Sequence, residues 1–193
     1  MRMKRITKLM YLLSVLFIVS CSTEDDCRLT FVGDSIVARW DLEEYFPTYM
    51  TENDGISGAG IGKIKELAHM YLGKDIVVLI GTNDVAGISD ETLDVYSKDY
   101  ITSIVELDAK KIYLFSILPR DFKSDIDGIN ERISKLNALI AERAGNYAAI
   151  TYINMFEEFY KDGTLNIELS YDGLHLSPYG YEKLSNSLKK YLK

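Results

Sequence analysis

The sequence predicts an α/β protein: a three-layer α/β/α sandwich around a five-stranded, mostly parallel sheet. Two observations carry that prediction. Short, continuously apolar and β-branched runs recur along the chain, as in Ile76-Val77-Val78-Leu79-Ile80. A strand without polar alternation is one buried on both faces. Between these runs the apolar spacing changes to threes and fours, as at Leu93, Tyr96, Tyr100, Ile104 and Leu107, which is the period of a helix with one buried side. Strands alternating with helices connect by right-handed βαβ crossovers, and such crossovers build parallel sheets covered on both faces.

Residues 1–20 are expected to lie outside this fold. Arg2, Lys4, Arg5 and Lys8 make a positive segment, Leu9 to Val19 an apolar one, and Ser20 is a small residue directly before Cys21. That is the layout of a secretory signal, and the apolar run falls short of the roughly 20 residues that span a bilayer. Ile18-Val19-Ser20-Cys21 resembles a bacterial lipobox. The resemblance implies that Cys21 is lipidated, begins the mature protein and anchors it in the bacterial cell envelope, on the periplasmic or the surface side. An ordinary signal and an uncleaved anchor are the alternatives. Residues 21–27 then form an acidic tether, Ser22-Thr23-Glu24-Asp25-Asp26 being polar and without periodicity.

Composition narrows the chemistry. Removing residues 1–20 takes away four positive charges and no negative ones, so the net charge moves from −7 to −11. Nucleic acid is not an expected partner for such a body, because phosphate binding needs clustered Lys and Arg. With Cys21 lipidated, Cys27 has no intramolecular partner, which excludes a disulfide framework and a cysteine-rich metal site. His69 and His175 are the two histidines, too few for a zinc site without carboxylate help. Neither a metal nor a cofactor is expected.

Residues 28–193 are the size of one domain. Leu29 to Val32 reads as the first strand, Gly33-Asp34-Ser35 as a sharp turn, and Ile36 to Phe46 as a helix. Tyr49-Met50-Thr51-Glu52 is a weaker, edge-type strand, followed by a less regular helix from Ile61 to Leu72 that contains His69. After the Ile76–Ile80 strand comes the Leu93–Leu107 helix, with Ser89 as cap and Asp90 and Glu91 in its first turn. Ile112 to Ile117 and Ala148 to Ile153 are the last two strands, separated by a helix on Ile129, Ile133, Leu136 and Ile140. Tyr181, Leu184, Leu188 and Tyr191 mark the final helix, capped by Ser177 with Pro178 at its first position. Pro47, Pro119 and Pro178 all fall at element boundaries. The arrangement is of flavodoxin-like type, so a ligand site is expected along the C-terminal strand ends.

Those ends carry an unusual set of polar residues: Gly33-Asp34-Ser35, Asn53-Asp54-Gly55-Ile56-Ser57-Gly58, Gly81-Thr82-Asn83-Asp84 and, before the last helix, Asp172-Gly173-Leu174-His175. Taken alone, Ser35 is a helix N-cap or a hydroxyl set where a helix N-terminus favours a developing anion. Taken alone, Asp172-Gly173 is an ordinary turn, and Asn83 a residue that holds its own loop. Together the four stretches resemble, in order, the four blocks of the SGNH hydrolases, also called GDSL-like esterases and lipases. The likeness covers the whole of 28–193 and departs from the family name only at Ile36, where the family has Leu.

The resemblance implies a catalytic Ser35–His175–Asp172 set and an oxyanion hole made by the Ser35 amide, the Gly58 amide and the Asn83 side chain. The chemistry suits those residue types. A serine hydroxyl is a poor nucleophile until a base removes its proton, and His69, placed mid-helix among Leu67, Met70 and Tyr71, reads as a packing or surface residue, leaving His175 as the base. Asp172, three residues earlier, would fix the imidazole tautomer. A side chain at position 58 would crowd a substrate, which suits glycine there. Asp34 and Asp84 read as structural, bonding amides of their own turns, while Arg39, Trp40, Pro119 and Tyr179 either line the substrate pocket or pack.

The expected function is a serine esterase acting through an acyl-enzyme at Ser35. A 166-residue body leaves no room for a large lid, which favours short acyl groups such as acetyl on a carbohydrate. The partners implied are a small-molecule or glycan ester and, through the anchor, a membrane. A lysophospholipase-like acylhydrolase and a catalytically silent glycan-binding surface lipoprotein are the alternatives. A flavodoxin-like nucleotide or flavin binder is disfavoured, because the first loop lacks a glycine-rich phosphate cradle and such a protein leaves Asp172 and His175 unexplained.

Overall fold

The computed structural model describes residues 28–192. The expected signal, the tether and both cysteines, Cys21 and Cys27, lie outside the described residues. Five parallel strands form one sheet: β1 (Arg28–Gly33), β2 (Met50–Gly55), β3 (Asp75–Leu79), β4 (Lys111–Phe115) and β5 (Ile150–Ile153), in the order β2-β1-β3-β4-β5. Every pairing is parallel, as continuous apolar strands predict. The chain steps one way from β1 to β2 and the other way to β3, so the strand order reverses beside β1. Crevices at such reversals are where open α/β sheets take ligands.

Helices cover both faces, and the strands supply each face with alternate side chains. Val32, Ile76, Val78 and Leu114 pack with Ile61 and Ile64 of α3 (Ile61–Lys65), Tyr100 and Ile104 of α4 (Leu93–Val105) and Ile133, Leu136 and Ile140 of α5 (Ile129–Ala144). On the other face Phe31, Val77, Leu79, Tyr113 and Phe115 meet α1 (Ser35–Ala38), α2 (Leu42–Tyr45), α6 (Phe156–Phe159) and α7 (Pro178–Lys189) through Ile36, Val37, Leu42, Phe159, Leu184 and Leu188. Each such fully buried side chain stabilises the fold by about 1.5–3 kcal/mol relative to exposure. A two-stranded antiparallel hairpin, β6 (Tyr160–Lys161) with β7 (Thr164–Leu165), was not expected from the sequence.

Several boundaries differ from expectation, each for a visible reason. The Ile36–Phe46 helix is two short helices. Trp40 turns into the core, packing on Phe31, Phe46 and Tyr181 and donating to Ser185 Oγ at 3.0 Å, and Asp41 restarts the helix by accepting from Glu44 N at 3.0 Å. The Ile61–Leu72 helix ends at Lys65, because the amides of His69 and Tyr71 donate to Glu106 O and Leu107 O instead of continuing it. His69 therefore sits in a turn with a positive φ of 64°, exposed and paired with Asp108, and not in a helix. The cap of α4 is Thr92 and not Ser89, which leaves Asp90 and Glu91 ahead of the helix. Ser177 and Pro178 start α7 as expected, with Ser177 Oγ accepting from Gly180 N.

Candidate active site

β1 ends against its neighbours with no room to spare. A Cβ on Gly33 would lie 2.1 Å from Leu79 O, so only glycine lets β1 and β3 part here. The chain then turns into α1. Asp34, not Ser35, is the N-cap: its Oδ1 accepts from Ile36 N at 2.9 Å. Ser35 is the first helical residue. Its amide, at the unpaired N-terminal end of a helix, donates to no other group among the described residues. Asn53 of β2 fixes the far end of α1, donating through Nδ2 to Val37 O at 2.9 Å and Trp40 O at 3.3 Å. A strand asparagine in that role is not visible in the sequence pattern.

Ser35 Oγ lies 3.0 Å from His175 Nε2, and His175 Nδ1 lies 2.8 Å from Asp172 Oδ2. The Asp172 carboxylate also accepts from the amides of Leu174 and His175, at 3.1 and 2.7 Å. Desolvation is the largest influence on Asp172 and opposes its charge. The imidazole and the two amides together outweigh it and hold its pKa below the ordinary carboxylate value. An ionised carboxylate can only accept, so Nδ1 carries the imidazole proton and Nε2 faces the Ser35 hydroxyl as an acceptor. The turn is tight enough to require Gly173, which has φ +79° and whose Cβ would lie 1.9 Å from Asp121 O.

The loops after β2 and β3 emerge on either side of β1, since Gly33 pairs with both Gly55 and Leu79. Ile56 N donates to Gly33 O at 2.8 Å, drawing the Gly58 turn toward Ser35. Gly58 is exposed, has φ +79°, and its amide has no partner among the described residues. Asn83 Nδ2 donates one proton to Ala59 O at 2.8 Å, which binds the two loops together and leaves the second N–H of the amide. Asp84 does not serve its own turn. Its Oδ2 accepts from Ile61 N at 2.9 Å and from Tyr96 OH at 2.8 Å, capping α3 from another loop. Burial, with the nearby Asp84 charge adding to it, pushes Asp34 up to about 7.

Of the residues expected to line the site or pack, Trp40 and Pro119 are buried, while Arg39 and Tyr179 are exposed. Arg39 joins Tyr45, Tyr171, Leu176, Pro178 and Tyr181 around a groove of about 260 Å³. Its walls adjoin the site at three points: Leu176 follows His175, Tyr171 precedes Asp172, and Tyr181 OH donates to Ile36 O at 2.8 Å. A larger cavity of about 570 Å³ lies at the opposite ends of the strands, by Arg28, Met50, Glu52, Leu72, Lys74 and Lys110. That cavity is remote from Ser35, and the smaller groove is the one that adjoins the Ser35–His175 pair.

Comparison with known proteins gives the family. The model of the GDSL-like Lipase/Acylhydrolase family matches residues 31–183. Among curated proteins, an N-acylneuraminate cytidylyltransferase of Escherichia coli is 29% identical over 86% of this chain, and the chain spans only 40% of that protein's length. The rat platelet-activating factor acetylhydrolase IB subunit alpha1 is 26% identical over 90% of this chain and 78% of its own. Among solved structures, one described as a platelet activating factor from Streptococcus pneumonia has a TM-score of 0.71 at 33% identity, covering 86% of this chain and 83% of its own. The fold is also that of Axe2, an acetylxylan esterase from Geobacillus stearothermophilus, with a TM-score of 0.64 at 18% identity over 86% and 93% of the two chains. With the family model running from the first strand into the last helix, the chain belongs to the GDSL-like lipase/acylhydrolase family and is an ester hydrolase.

Proposed function

We propose that this hydrolase removes short acyl groups, acetyl above all, from a carbohydrate through an acyl-enzyme at Ser35. The unbroken hydrogen-bonded chain from Ser35 Oγ to His175 to Asp172 carries the mechanistic part of that reading. His175 Nε2 takes the Ser35 proton as Oγ bonds to the ester carbonyl carbon. The resulting oxyanion is met by the Ser35 and Gly58 amides and by the remaining N–H of Asn83. When the tetrahedral species collapses, the C–O bond to the alcohol breaks and His175 returns its proton to that oxygen. Water, deprotonated in turn by His175, then releases the acid and restores Ser35.

The substrate class rests on three supports. Among the described residues the elements of the minimal sheet and its helices account for the fold, leaving no long inserted segment to enclose a long acyl chain. The groove beside His175, with three tyrosine rings, that of Tyr171 exposed, and Arg39, offers flat faces and a few polar groups to a sugar alcohol. Two of the similar proteins are named for removal of acetyl groups, one of them as an acetylxylan esterase. Attachment through Cys21 is compatible with this, because β1 begins at Arg28 on the end of the sheet opposite Ser35. An intact mass showing acylated Cys21 tests that anchor, and an unmodified mature terminus elsewhere would remove it.

The test of the reaction uses p-nitrophenyl esters and acetylated glycans. Acetyl should exceed decanoyl in kcat/KM, and Ser35→Ala should lose hydrolysis and fluorophosphonate labelling together. A clear preference for decanoyl would replace this reading with a lysophospholipase-like one, and labelling that persists in Ser35→Ala would move the nucleophile elsewhere.

A further inference from the structure

Behind the Asn83 loop lies a buried cation that the acyl-transfer scheme leaves unused. After β4 the chain from Ile117 to Arg120 is buried and held by two asparagines of α5. Asn137 accepts from Ile117 N at 2.9 Å and donates to Ile117 O at 2.8 Å, and Asn130 does the same for Arg120, at 2.7 Å in both directions. Seven residues apart, the two side chains lie on one face of α5, two turns from each other. Their amides pair with the segment as a neighbouring strand would.

The clamped backbone sets the direction of the Arg120 side chain, which is only 8% exposed as a residue. Nη1 lies 2.5 Å from Thr82 O and 3.4 Å from Thr82 Oγ1, and Nη2 lies 2.5 Å from Asp125 Oδ1. The Thr82 carbonyl belongs to the peptide plane that leads into Asn83. The next residue reaches the other part of the site, Asp121 N donating to Gly173 O at 2.8 Å. Residues 120 and 121 thus touch both the Asn83 loop and the Asp172–His175 turn.

Stability alone is a poor explanation for this arrangement. Buried ion pairs often add nothing over apolar residues of similar size, because desolvation cancels the attraction. Here the Arg120 Nε also has no partner among the described residues. We propose that Arg120 is a positioning residue for ester hydrolysis: through the Thr82 carbonyl, its guanidinium holds Asn83 in the orientation that meets the oxyanion. The proposal rests on Asn83 serving as an oxyanion donor.

The test is a double-mutant cycle on Arg120→Met and Asn83→Ala in the full domain, with kcat, KM and thermal melting measured on an acetyl ester. Arg120→Met should lower kcat on the order of 10²-fold, the typical cost of a small misplacement near the reacting atoms, with KM changed by no more than about twofold. Added to Asn83→Ala it should cause no further loss, since its route of action is already gone. Losses that multiply, or a folded Arg120→Met with normal kcat, would overturn the proposal. A normal kcat in Asn83→Ala would instead overturn the oxyanion role itself, and Arg120 with it. Should Arg120→Met not fold, Asp125→Asn replaces it in the cycle. That variant keeps an acceptor for Phe122 N, which Asp125 Oδ2 binds at 2.8 Å, and frees one side of the guanidinium. A smaller but equally non-additive loss of kcat is then the supporting result, and an additive one the overturning result.

Discussion

The Asp172–His175 turn is assembled almost entirely from its own neighbours, whereas the loop carrying Asn83 is held by residues from three other segments. In the turn, Asp172 bonds the amides of Leu174 and His175 as well as the imidazole, and Ser170 Oγ accepts from Gly173 N and donates to His175 O, both at 2.9 Å. In the loop, Thr82 depends on Arg120, Asn83 on Ala59, and Asp84 on Ile61 and Tyr96. On the proposed roles, a base and its orienting acid can share one turn because the couple must survive as a unit, whereas an oxyanion donor would have to converge with amides from other strand ends, so its placement is non-local.

The largest expected effect tests the self-contained half. Asp172→Asn should keep its bonds from the two amides and so melt near the parent temperature. Its side-chain amide no longer demands the Nδ1–H tautomer, and kcat should fall on the order of 10⁴-fold. A large drop in melting temperature would show that the turn leans on more than its neighbours.

Next in size is Asn83→Ala, which tests the non-local half. Loss of one oxyanion donor typically costs about 10²–10³ in kcat, and KM should hardly move. Because Asn83 also bonds Ala59 O, about 1 kcal/mol of stability should go with it. Near-normal kcat with a lowered melting point would reduce Asn83 to a loop brace.

The effect on activity is smallest in the last test, which reads stability against pH and sets Asp34, in the turn before Ser35, against Asp172. Asp34 is raised to about 7, chiefly by burial, so the folded protein binds a proton that the unfolded chain has lost. Stability therefore falls as pH rises from about 4 to about 7, by at most about 4 kcal/mol. Asp172 is lowered instead; its contribution is present above the ordinary carboxylate pKa and lost as pH falls through its folded value. Its side chain is 42% exposed, so solvent screening keeps that contribution small. Asparagine also caps helices, so Asp34→Asn should melt with a flatter profile than the parent between pH 5 and 8. Parallel profiles would mean that Asp34 titrates like an exposed carboxylate.

The same contrast decides what could be read from the chain. Three buried strands, the Ser177-Pro178 start of α7 and the Asp172–His175 spacing are legible because each depends on residues close in sequence, whereas β5, read as a buried strand, is a half-buried edge strand because the sheet ends there. Asn53, Asn130, Asn137 and Arg120 were not legible, since an asparagine or arginine is ordinary in itself and acquires its role only from a partner 10 to 38 residues away. Helix lengths were misread where tertiary partners captured the backbone, as Glu106 O does with the His69 amide. Asp34 bonds an amide of its own turn as the sequence suggests, while Ser35 taken alone reads equally as a cap; both are good caps and only the turn geometry selects between them.

By itself the sequence determined the α/β class, the parallel sheet and the strand ends that carry the site, because hydrophobic period and short-range turn chemistry act over a few residues. The tertiary structure decided which hydroxyl meets which imidazole. Only the sheet order brings Ser35 within 3.0 Å of a histidine 140 residues further along the chain. It also decided that Asp84 caps a helix other than its own and that a buried arginine stands behind Asn83. Those are contacts between segments far apart in sequence, which no local pattern encodes and which depend on how both hydrophobic cores pack the elements on the sheet.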